Sequence, residues 1–408
     1  MEKDKKTVGD IISFERSKRV FIIFTAAFLG MVLLVGIIFG IVSIVRNSGA
    51  VIKYNGVYVS EGVANYLVSS YKYDFMSTLI RQGVDCYDSS YFWQSEAEDG
   101  KTWGEILSEN TEKYLKQVVV GSYLFDRNTR LSKDDKAVIE KAVNEVLEYR
   151  AGADVDTFND MAEKMGFTYR DFKDAAEMLY KYEMAETVIF GYDGTSLSSG
   201  LFSAECDEYY ESAYSRVKLM FIRTEGDYAI DPDTGDQVYS EFDDDRKAEI
   251  QNYIERIRTL IYNTEHELAA EWIDEELFDQ YTSKEFGDWN PQANRSGYYF
   301  SSESSYSREF ALDCPELVKL ALSMDVGDYA ECEVDIGVCF IYKCDLVDGA
   351  YKNNALDHFF EDFYSCASSY LYSNSVNVYL PSVTVKETYN ANAVVSIPYN
   401  SELAVKFG

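Results

Sequence analysis

The hydrophobic pattern first marks a membrane segment near the start of the chain. Residues 20–45 form one unbroken apolar run without a charged side chain, and a helix that spans a bilayer needs ~20 such residues. Lys18 and Arg19 come directly before the run, whereas only Arg46 follows it. Because positive charges that flank a span stay in the cytoplasm, the pattern predicts a cytoplasmic N-terminus (1–19), a single-pass signal anchor in the cell membrane, and an extracytoplasmic remainder. The run exceeds a signal-peptide core of ~7–15 residues, so we expect an uncleaved anchor, although the sequence leaves cleavage open.

Helical periodicity dominates the next part, residues 47–200. A β-hairpin is predicted first, because the turn dipeptide Asn55-Gly56 lies between β-prone residues. Thr102 and Glu105 then form a capping box, which opens the first of several helices with apolar residues at helical spacing. A stretch rich in Gly and Ser closes this part. The pattern therefore predicts a largely helical domain followed by a linker.

From about residue 207 to 347 short β-prone runs alternate with helices, in the predicted order β-α-α-β-α-β-β. The predicted strands are Val217–Ile222, Tyr298–Phe300, Tyr329–Val334 and Val338–Leu346, and the predicted helices cover about 244–264, 265–280 and 315–323. The stretch Thr224 to Asp245 is heavily acidic but lacks the ligand spacing of an EF-hand loop. We therefore expect a solvated loop there and a mixed α/β domain around it.

The last part, residues 348–408, is predicted to contain one helix and one strand. Apolar residues at helical spacing indicate a helix over Asn354 to Tyr372. The alternation from Val376 to Val385 indicates a strand, and Pro381 would confine it to a sheet edge.

Composition and charge remove several classes of function. The 408 residues are 47% hydrophobic and 15% aromatic, which excludes a disordered chain. A formal net charge of −32 argues against a nucleic-acid ligand, because such a ligand requires a basic surface. His266 and His358 are the only histidines. The sequence contains no visible set of nucleophile, base and acid and no metal-ligand spacing, so we expect neither a hydrolase nor a metal or other cofactor.

The cysteines raise the question of a disulfide. Their number, seven, is odd, so they cannot all pair within one chain, and no CxxC spacing occurs. A two-residue loop at Asp335-Ile336 would place Cys332 opposite Cys339. The sequence leaves open whether these two form a disulfide or stay two buried thiols, because disulfide geometry is strict.

Taken in order, these segments resemble the PrsA and SurA family of membrane-associated foldases. The segment after the anchor, VIKYNGVYVSEGVANYL, is similar to the family's V-N-G-x-x-I-T-x-x-E-F opening, and Glu205–Tyr210 resembles its T-D-E-E-V-x-x-Y-Y entry to a parvulin-type prolyl isomerase domain. Further similarities are those of Gly297–Phe300 to G-x-L-G-x-F, Pro315–Asp328 to P-E-F-x-x-A-x-F-x-L-x-x-G-E, and Ile336–Ile341 to F-G-Y-H-I-I. The resemblance implies an α+β fold: a helical SurA-N-like chaperone domain that 348–408 packs on and completes, with the parvulin-like domain inserted.

The resemblance also implies where a proline pocket would lie. Its positions are Leu219, Phe221, Tyr299, Leu317, Cys339 and Ile341. The family's two core histidines fall at Leu219 and Cys339, and its pocket phenylalanine falls at Leu317. A prolyl isomerase must lower a barrier of ~18–20 kcal/mol with preorganised polar groups in a shaped pocket. We therefore expect weak or absent catalysis and assign no catalytic residue.

The functional expectation is a membrane-anchored extracytoplasmic chaperone that holds unfolded exported polypeptides without a cofactor. One alternative is an active peptidyl-prolyl cis-trans isomerase, and another is a cell-envelope scaffold that binds one specific partner. The expected partners are unfolded polypeptide clients and the membrane. Nucleic acid is not expected, and a homodimer is left open.

Overall fold

The computed structural model describes residues 49–97, 100–231, 234–235, 237–262, 296–334, 337–386 and 391–407. The predicted anchor, the predicted helix over 265–280, the loop Asp335-Ile336 and His266 lie outside these residues. Within them, no helix combines the length and the apolar character that crossing a bilayer requires.

The described elements make a mixed α+β protein. The strands are β1 (Ala50–Tyr54), β2 (Val57–Ser60), β3 (Tyr214–Arg223), β4 (Gly226–Ile230), β5 (Gln237–Glu241), β6 (Tyr298–Ser301), β7 (Tyr329–Val334), β8 (Gly337–Cys344) and β9 (Thr384–Val385). The α-helices are α1 (Glu61–Arg81), α2 (Ser90–Gln94), α3 (Trp103–Asn128), α4 (Lys133–Ala151), α5 (Val155–Ala162), α6 (Tyr169–Phe190), α7 (Ser203–Ala213), α8 (Asp244–Tyr262), α9 (Ser305–Asp313), α10 (Pro315–Ser323), α11 (Phe363–Tyr379) and α12 (Ala391–Ser396). They form two compact units: the first takes the chain up to Ala185 together with that from Ser375, and the second takes Glu186–Asn374.

The first unit begins with the predicted hairpin, which the structure confirms. Asn55 and Gly56 have φ angles of 40° and 89°, the left-handed values that a two-residue type I′ turn requires. Strand β1 is the middle strand of a small antiparallel sheet with the order β2-β1-β9. Helices α1 and α3 pack against β1 and β2, and α12 packs on α3. The capping box of α3 is also confirmed: the Glu105 backbone N–H donates to the Thr102 hydroxyl, and the Thr102 backbone N–H donates to the Glu105 carboxylate.

A buried ion pair ties the C-terminal segment into the first unit. The Lys72 ammonium lies 2.6 Å from an oxygen of Asp88. It also donates hydrogen bonds to the carbonyl oxygens of Val395 (2.9 Å) and Ile397 (2.8 Å). The indole N–H of Trp93 donates to the same carboxylate of Asp88 at 2.8 Å. The charge of Lys72 is thus compensated by one carboxylate and two carbonyl dipoles, as a buried ammonium requires.

The second unit is built on an antiparallel sheet with the order β6-β3-β8-β7. Side chains alternate between the two faces of a strand, and both faces of this sheet are covered. On one face Met220, Ile222 and Phe340 pack against isoleucines of α8, among them Ile254. The other face packs on α10 and on a large aromatic core. This double coverage explains why β3 and β8 are almost continuously buried, rather than buried at every second residue.

Aromatic side chains supply most of the core on that second face. Tyr209, Tyr210 and Tyr214 pack together with Phe360 and Phe363, with ring centroids 5.1–6.5 Å apart in this set and its neighbours. Offset and edge-to-face contacts at such distances stabilise a core beyond the area that they bury. Many of the chain's 34 tyrosines are therefore structural.

Two elements differ from their predictions. The predicted strand Val376 to Val385 is wrong: α11 runs to Tyr379, and within this stretch only Thr384–Val385 form a strand. Val376 is buried whereas Val378 is 73% exposed. Residues two apart share a face in a strand but not in a helix, so this burial fits the helix. The predicted loop Thr224 to Asp245 instead contains the β4–β5 hairpin.

The structure also divides the chain differently from the predicted boundaries. The predicted last helix is a 3₁₀ segment, Asn354–Phe359, followed by α11. Its residues Phe359, Phe360 and Phe363 belong to the aromatic core of the second unit, rather than to the helical domain on which it was expected to pack. Strand β9, by contrast, belongs to the first unit, where it pairs with β1.

Candidate functional site

The predicted pocket positions come together on one face of the second unit's sheet. Leu219 lies opposite Ile341, and Phe221 lies opposite Cys339, in the β3–β8 register. These four side chains therefore point to the same side, where α10 contributes Leu317. Tyr299 of β6 belongs to the same apolar cluster.

These positions are filled core rather than an open pocket. The exposed fractions of Tyr299, Leu317, Cys339 and Ile341 are 1% or less, and that of Leu219 is 3%. Phe221 is half-buried and packs against the same cluster. At the two positions where the resembled family has histidine, the chain offers a hydrocarbon and a thiol.

At one of the two positions where the resembled family has histidine, this cluster offers the thiol of Cys339. The Cys339 thiol shares a hydrogen bond with the thiol of Cys332, and this bond together with burial raises the pKa of Cys339 well above its usual range. A thiol held neutral is a weak donor and a poor substitute for an imidazole. His358, one of the chain's two histidines, lies outside the strands of this cluster, and its ring is tilted against that of Phe359 with centroids 3.9 Å apart.

Sequence analysis missed a buried cation beside these positions. Lys343 follows two residues after Ile341 on β8 and is only 7% exposed. Its ammonium donates to the hydroxyl of Ser215 and, at 2.7 Å, to the carbonyl oxygen of Ala321 in the last turn of α10. Burial lowers the pKa of Lys343. A cation at a helix C-terminus complements the helix dipole, so its role is structural. The sequence of strand β8 alone does not indicate that this lysine is buried, because its hydrogen-bond partners lie in other parts of the chain.

An open groove lies in the first unit. Its volume is about 650 Å³. The hairpin β1–β2 and the helices α3 and α6 form its walls, with Ala50, Gly56, Val57, Tyr58, Ser60, Val63, Ser122, Asp126, Thr168, Arg170, Asp171, Asp174, Glu177, Met178 and Lys181 among the lining residues. The groove thus has an apolar part, contributed by the hairpin and Met178, and a charged part along α6.

One wall of the groove is the edge of a sheet. Strand β2 has a neighbour on one side only among the described strands. Tyr54 and Val57 flank the two-residue turn and pair with each other, and the next pair is Lys53 with Tyr58. Hydrogen-bonded and non-hydrogen-bonded pairs alternate in an antiparallel ladder. Since the pair that closes a two-residue turn is the hydrogen-bonded one, the N–H and C=O of Tyr58 point away from β1. Tyr58 also lines the groove.

Carboxylates outnumber cations along the other wall. The Lys181 ammonium is shared by Asp126 (3.1 Å) and Glu177 (2.8 Å). Asp171 accepts hydrogen bonds from the backbone N–H and the hydroxyl of Thr168 and so caps α6. Asp174 differs from these carboxylates. Burial raises its pKa, and the charges of Arg170 and Lys173 lower it without forming a direct ion pair among the described residues. This carboxylate is available to meet a cation from outside.

Several solved structures are similar to the chain, but no family model or curated protein matches it. Among solved structures, PrsA from Bacillus subtilis is similar at 13% identity with a TM-score of 0.18, covering 74% of this chain and 89% of that one. PrsA from Bacillus cereus, titled a peptidylprolyl isomerase, is similar at 13% identity with a TM-score of 0.22, covering 72% and 92%. The foldase protein PrsA from Lactococcus lactis is similar at 11% identity with a TM-score of 0.18, covering 74% and 98%. At such identities and TM-scores the likeness carries no weight for fold or function.

Proposed function

We propose that the chain is a membrane-anchored extracytoplasmic chaperone that holds extended segments of unfolded exported polypeptides in the groove of its first unit. The observation that carries the proposal is the sheet edge at Tyr58 beside the groove. An extended polypeptide can add to such an edge through its main chain. Main-chain pairing does not depend on client sequence, which suits a protein that must hold many different chains.

The charges of the groove favour clients that carry Lys or Arg beside apolar residues. Asp174 offers a carboxylate that makes no direct ion pair among the described residues, while Arg170 and Lys181 leave the groove with fewer cations than carboxylates. Complementary charge steers encounter and suppresses wrong partners. The net charge of −32 acts in the same direction over the whole chain.

We further propose that the parvulin-like positions of the second unit contribute little catalysis. Leu219 and Cys339 supply no imidazole, and the cluster around them is packed. Twisting an imide needs a cavity that admits proline and polar groups that are already oriented. A packed apolar core provides neither.

The test is suppression of aggregation by the purified full chain, without ATP, followed by light scattering of a reduced, unfolded model protein. Two substitutions at one position separate main-chain from side-chain contact. Tyr58→Pro removes the outward N–H, and an edge strand tolerates proline where its N–H faces outward. Tyr58→Val removes the ring but keeps the N–H. We expect Tyr58→Pro to lose most of the holding activity and Tyr58→Val to lose little.

A second pair of variants tests the charge preference. Asp174→Lys should weaken binding of a labelled basic, extended peptide several-fold in fluorescence anisotropy. Asp160→Lys makes the same change of charge at an exposed helix position that does not line the groove, and should have little effect. Equal behaviour of Tyr58→Pro, Tyr58→Val and the unmodified chain would place holding outside this groove. Binding of one partner only, with no effect on unfolded proteins, would favour the envelope scaffold.

A further inference from the structure

We propose that Cys332 and Cys339 form a redox-active dithiol that closes reversibly to a disulfide between strands β7 and β8. The two residues lie directly opposite each other in the antiparallel register. Directly opposed residues of an antiparallel pair have Cα atoms ~4.5–5.5 Å apart, and a disulfide spans Cα separations of ~4.4–6.8 Å. The Cα spacing of the pair therefore lies within the range of a disulfide, and a small adjustment of the two strands brings the Cβ atoms to the ~3.5–4.5 Å that the bond requires.

The two thiols are neighbours across the ladder. They interact with each other, and both are free in the structure. Both belong to the same apolar cluster, so their side chains point to the same face of the sheet. A third thiol, Cys314, lies in that cluster as well. The ladder register favours Cys332 as the partner of Cys339, because a cross-strand neighbour is held in place on both sides.

Their positions in the sheet give the two thiols different roles. Strand β7 is an edge strand among the described strands, whereas β8 lies between β3 and β7. Cys332 is 9% exposed and Cys339 is 1% exposed. The shared hydrogen bond lowers the pKa of Cys332 and raises that of Cys339. Cys332, on the edge strand and less buried, therefore has the better access to a disulfide from outside the protein.

The reaction is thiol–disulfide exchange with a small disulfide such as oxidised glutathione. The Cys332 thiolate attacks one glutathione sulfur, a mixed disulfide forms, and one glutathione leaves as thiolate. Cys339 then gives up its proton and its sulfur attacks the sulfur of Cys332, which releases the second glutathione. Two electrons pass from the cysteine pair to oxidised glutathione, which becomes two molecules of the reduced thiol.

The test uses the full chain incubated with oxidised glutathione and mapped by mass spectrometry of peptides. We expect a peptide pair joined through Cys332 and Cys339 that separates again on reduction. Amide hydrogen exchange in Tyr329–Val334 should slow when the bond forms, because the edge strand is then linked covalently to β8. Mapping of the unmodified chain requires no substitution, so the test does not depend on a variant's folding.

Single substitutions then assign the roles. Cys339→Ser should retain glutathione on Cys332, and Cys332→Ser should take up none at Cys339. Cys344→Ser is the matched control, a buried cysteine on the same strand whose β3 neighbour is Arg216, and it should leave the bond intact. The proposal fails if no disulfide forms, if Cys339 pairs with Cys314, or if glutathione attaches to Cys339 in Cys332→Ser.

Discussion

Removing Asp88 should be among the most destabilising single changes in the first unit. Its carboxylate is the counter-charge of Lys72, whose side chain is 1% exposed. Asp88→Ala leaves the ammonium with the two carbonyl oxygens of Val395 and Ile397 as its remaining oxygen partners, and it also leaves the indole N–H of Trp93 without its acceptor.

The expected loss follows from what stays behind after the change. Breaking a buried pair by removing one partner costs ~3–5 kcal/mol, because an uncompensated charge remains. We expect Asp88→Ala to lie in that range. Lys72→Met should cost less, about 2–3 kcal/mol, since hydrogen bonds to a charged group contribute ~1.5–3 kcal/mol. The carboxylate that it leaves behind is 20% exposed and can hydrate.

The matched control is an exposed ion pair in the same unit. Lys101 and Glu109 lie 2.7 Å apart, but their side chains are 50% and 61% exposed. Exposed pairs contribute ~0–1 kcal/mol, so Glu109→Ala should change the free energy of unfolding by less than ~1 kcal/mol. Urea unfolding of the full chain, followed by circular dichroism and by tryptophan fluorescence, measures all three variants.

The test depends on the order of the three decreases in the free energy of unfolding more than on their absolute sizes. It should be Asp88→Ala, then Lys72→Met, then Glu109→Ala. A loss for Asp88→Ala no larger than that for Glu109→Ala would refute the view that this pair is buried and compensated. A larger loss for Lys72→Met than for Asp88→Ala would mean that the carbonyl contacts, and not the charge pair, hold the C-terminal segment.

Three further measurements address pH, topology and catalysis. Burial raises the pKa values of Tyr66 and Tyr180 to about 12, against ~10 for an unperturbed tyrosine. The stability that these two tyrosines contribute should be complete below pH ~10 and lost as the pH rises through about 12. Absorbance titration of the folded and the denatured chain, together with thermal melts across that pH range, would detect this loss. Protease added to intact cells should remove the part of the chain that ends at Gly408 and leave a short membrane stub, and protection of that end would reverse the proposed orientation. In a peptide assay the full chain should accelerate X-Pro isomerisation, which takes ~10–100 s uncatalysed at 25 °C, little or not at all; robust acceleration would mean that Leu219 and Cys339 do not prevent catalysis.

Local sequence signals predicted much of the fold. The turn at Asn55-Gly56 and the capping box at Thr102 were recognisable because each depends on residues a few positions apart. The strand Tyr329–Val334 and the helix Pro315–Ser323 were predicted with the bounds that the structure has. The segment Val376–Tyr379 was not, because four residues of alternating polarity fit a strand as well as the end of a helix, and only packing decides between them.

The candidate site was far less predictable. The groove joins Tyr58 of β2 to Asp174 of α6, which are far apart in the sequence, and nothing in either segment indicates that they meet. The register of β3 with β8 was also beyond local reasoning. This register places Leu219, Phe221, Cys339 and Ile341 on one face of the sheet. The positions that the resemblance assigns to a proline pocket therefore belong to the packed core.

The short edge of β2 limits the strength of the client binding that we propose for the groove. Tyr58 offers one outward N–H and one outward C=O, and each hydrogen bond contributes ~0.5–1.5 kcal/mol net. Edge pairing at this residue alone therefore supplies about 1–3 kcal/mol, less than the ~4 kcal/mol of a millimolar complex. Apolar contact with Val57 and Met178 and the charge of Asp174 must supply the rest. A contact of this strength dissociates without an energy source, so release of a client would need no ATP, whereas a longer edge would bind chains more tightly and favour aggregation.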